Sequence, residues 1–351
     1  MSLHEFALLT CGGTLALLVL WSWLLWRDHR GMLAARAAIA MNLGIASYVY
    51  QTTGWTEQAT MDGLVLGLLA RSTPALFWLF ARIWFNDRTR LSRGEVVIVA
   101  LYMANSLVMH FAYPGSPEVF AGSAIVFRGG MIAFAGGGLW EAWRGREGDL
   151  VEARRRLRLA LIGVVGIYVL AIAFAEMAVF NAHAPYLVIS LIGSSTAFAT
   201  WAFCAAMFAS RRSDLFGAGT AAAPVLPPLL AADDPVAARV LAVMESEKPH
   251  RDERLSIAGL AQRLGEQEYR LRRTINRSLG HRNFAQFLNS YRLTEVRQAL
   301  TDPAQREVPI LTIALDAGFG SLGPFNRAFR EAEGITPSEY RAKALADSEI
   351  G

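Results

Sequence analysis

Residues 310–341 read ILTIALDAGFGSLGPFNRAFREAEGITPSEYR, and this stretch decides the fold of the C-terminal third. Apolar side chains recur at three- and four-residue spacing on both sides of Gly318, the pattern of two short amphipathic helices. Gly318 and Gly334 stand where each helix stops, and glycine ends a helix by entering the left-handed region without steric cost. Residues 255–300, LSIAGLAQRLGEQEYRLRRTINRSLGHRNFAQFLNSYRLTEVRQAL, repeat the plan. Ala261, Gly265, Leu271, Ile275 and Gly280 recur as Ala314, Gly318, Phe325, Phe329 and Gly334, offset by 53 residues before the turn and 54 after it. A small Ala lets two helices cross closely, so each unit is a helix-turn-helix whose second helix can enter a major groove. One such hairpin could merely pack; two joined by a long helix are a much stronger signal.

The flanks supply starts and stops. Asp233 or Asp234 caps a helix with Pro235 in its first turn. Ser256 caps a helix that runs to Leu264, and the next covers about 267–279. Asn283 with Gln286 resembles a capping box for a helix to Leu300, and Thr336, Pro337 and Glu339 open the last helix. No alternating strand pattern of useful length appears.

Together these two stretches resemble the DNA-binding domain of the AraC/XylS family. The second carries that family's GF, F-x-R-x-F and G-x-T-P-x-x-Y-R patterns, and the likeness covers about residues 236–343. The resemblance implies a monomer that sets two helix-turn-helix motifs in successive major grooves. It also implies base-reading positions at Tyr269, Arg272 and Arg273 in the first motif and at Leu322, Gly323, Asn326 and Arg327 in the second. Arg is the usual reader of guanine. Arg330 is expected on phosphate, a contact that positions without specifying. Gly323 and Pro324 depart from the family, which has polar or aromatic side chains there, so the second motif is expected to discriminate sequence less. Leu271, Ile275, Phe325 and Phe329 are core positions.

Charge agrees on its own terms. Residues 263–282 hold Arg263, Arg270, Arg272, Arg273, Arg277 and Arg282 against Glu266 and Glu268. Arg270, Arg273 and Arg277 form a basic stripe on one helix face. The whole segment 233–351 is nonetheless neutral, with 17 Lys and Arg against 17 Asp and Glu. The net +4 of the chain lies in residues 1–232, with 17 against 13.

That first part is the apolar one, in a chain of 351 residues that is 53% hydrophobic with a mean hydropathy of +0.30. Seven runs near 6–26, 33–53, 63–85, 95–113, 119–143, 158–180 and 185–209 reach the roughly 20 residues that cross a bilayer. The first is expected to be a retained helix rather than a signal peptide. It lacks an N-terminal Lys or Arg and ends in Trp21, Trp23, Trp26 and Arg27, not in small residues. Arginines cluster after the first, third, fifth and seventh runs, while the loops around 54–62, 114–118 and 181–184 have neither Lys nor Arg. The positive-inside rule then puts the N-terminus outside and everything after residue 209 in the cytoplasm of a bacterial inner membrane.

Arg71 and Arg128 lie deep within runs and Glu176 in the outer third of its run, where a charge costs a few kcal/mol or more unless paired or hydrated. They form either a structural ion pair or an outward-facing cavity for an anionic or amphipathic signal. Arg82 and Glu141 are expected to reach the cytoplasmic interface. Asn42, Asn105, His110 and His183 read as interhelical hydrogen-bonding groups. The glycines at 129, 130, 136, 137 and 138, and the Gly63–Gly67 pair, read as close packing within the bundle more than as a dimer face.

Several chemistries find no support. Cys11 and Cys204 sit in apolar runs, which rules out a disulfide framework or a cysteine zinc site. Lys248 and Lys343, the two lysines, both lie outside the runs, so no retinal Schiff base can form in a span. The six histidines are scattered, and no metal, cofactor or catalytic constellation is expected.

The expected fold is all-α: a seven-helix transmembrane bundle over 1–212, a Gly/Ala/Pro-rich linker over 213–232, and a cytoplasmic two-motif domain over 233–346. The expected function is a membrane-anchored transcriptional regulator that senses a signal through its spans. Its expected partners are double-stranded DNA, the bilayer and the signal, with RNA polymerase and a second copy as further candidates. Two alternatives are a transporter or enzyme-like membrane half fused to a DNA-binding module, and a passive anchor for a constitutive DNA binder.

Overall fold

The computed structural model describes residues 3–51, 53, 60–88, 90–112, 115–152, 154–155, 157–158, 160, 186–209 and 234–350. Among them the only regular elements are helices. The chain divides into two compact units, one of Met1–Glu147 with Ala153–Gly219, the other of Gly148–Glu152 with Thr220–Gly351.

The first unit contains α1 (Leu3–His29), α2 (Leu33–Gln51), α3 (Met61–Phe85), α4 (Arg93–Ala112), α5 (Pro117–Arg144) and α6 (Tyr186–Ala209). The first five are long and apolar enough to cross a membrane. The expected run 158–180 lies outside the described residues beyond its first positions, as do the linker 213–232, Glu176 and His183. The unit's core gathers Trp21, Leu25, Phe80, Trp84 and Phe85. Large apolar side chains such as Val19, Leu101 and Ile125 are left exposed on the outer faces. A surface of that kind needs lipid or another protein to cover it.

Two of the asparagines singled out in the sequence bridge neighbouring helices, and an ion-pair cluster joins others. Asn42 Nδ2 donates to Ser22 Oγ at 3.0 Å, and Asn105 Nδ2 to the Ser123 carbonyl at 3.0 Å. Arg82 Nε lies 3.1 Å from Glu95 Oε1 and 3.4 Å from Glu141 Oε1. The glycines of α5 divide by face. A Cβ on Gly130 would lie 2.8 Å from Tyr102, and one on Gly137 would lie 2.9 Å from Trp78, whereas Gly129 and Gly136 face open space. Glycine is thus required where α5 meets α4 and α3.

Arg154 and Arg158, which in sequence belong to a loop full of arginines, are completely buried. Arg154 grips Asp87 with two hydrogen bonds of 2.7 and 3.0 Å and donates to the Trp84 carbonyl at 3.1 Å. Arg158 donates to the carbonyls of Phe85, Glu141 and Ala142 at 2.9, 3.2 and 3.3 Å. Both cations therefore satisfy the last carbonyls of α3 and α5, where the helix dipole favours positive charge.

The second unit contains α7 (Pro235–Ser246), α8 (Ile257–Leu264), α9 (Glu268–Arg277), α10 (Phe284–Thr301), α11 (Ile310–Asp316), α12 (Leu322–Glu333) and α13 (Pro337–Ile350). The expected cap residues are in place, although Asn283 caps through the Ala285 amide and not in a box with Gln286. Asp234 accepts from the amides of Val236 and Ala237, Ser256 from Gly259, and Asn283 from Ala285. Thr336 and Glu339 form a reciprocal capping box. α8 ends in a Schellman motif: the Glu266 amide reaches the Ala261 carbonyl, and the Gly265 amide the Gln262 carbonyl. α11 ends the same way, through Phe319 to Ala314 and Gly318 to Leu315. Gly265, Gly280, Gly318 and Gly334 all have positive φ.

Two cores result. Val240, Met244, Leu260, Leu271, Ile275, Phe284 and Phe287 fill one, and Leu293, Val296, Leu300, Ala314, Phe325 and Phe329 the other. α10 supplies side chains to both, so one rigid helix joins the two motifs. Gly148–Glu152 is an addition that the sequence boundaries do not anticipate. The Leu150 amide donates to the Arg282 carbonyl at 3.0 Å, and the Phe284 amide to the Gly148 carbonyl at 2.9 Å. This makes an antiparallel bridge between Asp149 and Asn283, and Leu150 is part of the first core.

Candidate nucleic-acid interface

The second helices of the two motifs, α9 and α12, carry the ten DNA-facing candidates. Their inner faces are fixed by the cores: Leu271 and Ile275 in α9, and Phe325 and Phe329 in α12, have no exposed surface. What remains is set by helical geometry. On α9, Tyr269 is 64% exposed, and Arg270, Arg273 and Arg277 are exposed along one side. Arg270 lies 3.6 Å from Glu266, a surface pair of small energetic weight. Three guanidiniums on one exposed face of a short helix form a local positive surface on a neutral domain, suited to phosphates and guanine edges.

α12 is poorer in reading groups. Leu322, Gly323, Arg327 and Arg330 are exposed, and Asn326 is half-buried. Nothing lies within 4 Å of where a Gly323 side chain would begin. Pro324 occupies the first turn, where its missing amide costs no helical hydrogen bond.

Arg272 differs from the other nine. Its side chain is only 9% exposed and pairs with Glu268, with Nε donating to Oε1 at 2.8 Å. Its Nη1 donates to the Asp149 carbonyl at 2.9 Å. An expected base reader is thus turned onto the Gly148–Glu152 segment. The sequence carries a faint sign of this, since Leu150 and Val151 are adjacent large apolar residues in an arginine-rich loop, and both are buried.

The scaffold beneath is electrostatically tight. Asp234 also accepts from Ser278 Oγ at 2.7 Å and Thr274 Oγ1 at 3.1 Å, which ties the start of α7 to α9. Burial raises its carboxyl pKa, but these hydroxyls and the capped amides outweigh burial and hold it below the ordinary value. His250 sits against Glu295 at 3.3 Å. Of the signal-site candidates, Arg71 Nε donates to the Gly67 carbonyl of its own helix at 2.9 Å. Arg128 is half-buried on α5, and Glu176 lies outside the described residues.

A family model described as a helix-turn-helix domain matches residues 260–343. The regulatory protein SoxS of Salmonella typhimurium strain LT2 is 33% identical over 92 residues, which cover 26% of this chain and 82% of that protein. SoxS of Escherichia coli strain K12 matches with the same identity and coverage. No solved structure matches. Through this all-helical, two-motif domain the chain belongs to the AraC/XylS family of DNA-binding transcriptional regulators.

Proposed function

We propose that the chain is a membrane-embedded transcriptional regulator whose spans sense a signal and whose second unit binds a promoter from the cytoplasm. The observation that carries this reading is the pairing in one chain of five span-length apolar helices with an AraC-type domain. Bilayer insertion explains the exposed apolar faces of the first unit, and alternate-loop arginines support a cytoplasmic second unit. Tyr269, Arg270, Arg273 and Arg277 of the first motif, with Leu322, Gly323, Asn326, Arg327 and Arg330 of the second, form the DNA-contacting set, and Arg272 joins it only when freed from the Asp149 carbonyl. Arg71 and Arg128, with Glu176, are the candidates for receiving the signal. A signal changes DNA binding only through unequal affinity for two states of the membrane unit.

The test is genome-wide occupancy of the full chain together with its fractionation. Discrete sites occupied by protein in the membrane fraction support the reading. Recovery in the soluble fraction removes the membrane part of it, and absence of discrete sites removes the regulatory part. Replacing the helices by an unrelated span separates sensing from anchoring, because regulation that survives the swap means the helices only anchor.

A further inference from the structure

We propose that Gly148–Glu152 is an internal latch that withholds Arg272 from DNA and links DNA binding to the state of the membrane unit. The inference rests on the regulator reading above. The segment belongs by its packing to the DNA-binding unit, while the residues on either side of it, Glu147 and Ala153, belong to the other. Five residues of a loop are thus built into a unit whose chain resumes only at Thr220, and there they meet Arg272, 123 residues after Asp149.

The seating is specific. Asp149 is 1% exposed, Leu150 4% and Val151 6%. The Asp149 side chain accepts from the Val151 amide at 3.1 Å and so folds the segment on itself. Two backbone hydrogen bonds hold it to the turn before α10. The Asp149 carbonyl takes Nη1 of Arg272, and Glu268 takes Nε and Nη2. In this arrangement α9 offers DNA Tyr269, Arg270, Arg273 and Arg277 without Arg272. Removing the segment takes away the backbone acceptor and leaves Arg272 the i,i+4 pair with Glu268, which is weak once solvated. The guanidinium is then available to a base edge.

The chain that follows explains how the latch is worked. Arg154 and Arg158 are pinned to the ends of α3 and α5 through Asp87 and the carbonyls of Trp84, Phe85, Glu141 and Ala142. Only one residue separates Glu152 from Arg154 in sequence, so the segment and the pinned arginines are joined by the chain itself. The device has two states, seated and released, and the signal biases them through α3 and α5.

Asp149 and Asn283 form the non-hydrogen-bonded pair of an antiparallel bridge, a geometry with Cα atoms roughly 4.5 Å apart. A disulfide fits that spacing. The test is the full chain with Asp149→Cys and Asn283→Cys in nanodiscs; Cys11 and Cys204 are both buried and serve as background. The probe is the duplex that the wild-type chain enriches from a random library. Oxidation is expected to weaken binding by about tenfold or more relative to the reduced form, the weight of one bidentate base contact, and reduction is expected to restore it. Leu150→Asp, which unseats the segment, is expected to bind more tightly than wild type with α8–α10 still protected from hydrogen exchange. Equal affinity of the oxidised and reduced pair overturns the latch, as does failure of the pair to cross-link. An enriched duplex with either result leaves the regulator reading standing. Enrichment of no duplex by wild type or Leu150→Asp overturns that reading instead.

Discussion

Arg292 Nε donates to the His250 carbonyl at 2.7 Å, and Nη2 of the same side chain donates to the Asp252 carbonyl at 2.9 Å. Arg292 is 8% exposed and its guanidinium lies 5.7 Å from the Phe319 ring centroid. One buried cation of α10 therefore ties the loop before α8 to the turn of the second motif. Arg292→Ala leaves two carbonyls without partners and is expected to cost about 2–3 kcal/mol. Arg292→Lys, which cannot fork to both, should lose part of that. Denaturant unfolding of the domain reads the difference, and a change below about 0.5 kcal/mol in the Ala variant would contradict this role.

The two turn glycines look equivalent in sequence and are not. Gly265 has φ +65, and nothing lies within 4 Å of where its Cβ would sit. Gly318 has φ +96, and its Cβ would run into the His250 carbonyl and the Arg251 backbone. Gly265→Ala is expected to cost about 1–2 kcal/mol, the left-handed penalty alone. Gly318→Ala adds a backbone clash and should exceed about 3 kcal/mol. Equal melting shifts would mean that the loop gives way.

Base and phosphate contacts separate by their salt behaviour. Arg273→Ala should lose about 1–3 kcal/mol at one base step and relax specificity there. Arg330→Ala should weaken all sequences alike and lower the salt slope by about one. A footprint unchanged by Arg273→Ala removes that residue from the reading set.

Gly323 is exposed at the start of α12 in open space, so a side chain added there meets no obstacle. Gly323→Arg is expected to leave stability within about 0.5 kcal/mol and to sharpen the base preference of the second motif. Selection from a random duplex library reads this directly; an unchanged consensus would show that α12 does not approach the bases at that position.

The domain should weaken in mild acid. Burial pushes the His281 imidazole below its ordinary range. Burial does the same to His250, outweighing the nearby Glu295 carboxylate. The unfolded chain takes up protons near pH 6.5, where these folded groups still refuse them. Stability is therefore full above that pH and falls as pH drops toward the folded values. All nine tryptophans precede residue 202, so hydrogen exchange of α8–α10, not tryptophan fluorescence, is the suitable probe. Replacing His250 and His281 by Gln should flatten the slope; an unaltered slope would assign it to other groups.

The second unit was largely legible because its signals are local. A cap, its helix and the glycine that ends it lie within a dozen residues, and Asp234, Ser256, Asn283 and Thr336 all perform as their positions suggest. Leu271 and Phe325 were legible as core from spacing alone. The fate of Arg272 was not, because its acceptor, the Asp149 carbonyl, lies 123 residues earlier in the chain. Arg154 and Arg158 read as loop charges that set topology, yet their guanidiniums are buried on helix ends, a pairing that depends on which helices end together. Side-chain chemistry announces a local partner; a backbone carbonyl far away in sequence announces nothing.

The single helix that feeds both cores has a consequence for the target. With α10 as a stiff strut, the distance between the two reading helices is a fixed ruler, and the chain cannot stretch to follow altered DNA. One base pair inserted between the two contacted segments turns the second by roughly 35° about the duplex axis. Promoters served by this protein should therefore tolerate changes in base identity better than changes in spacing.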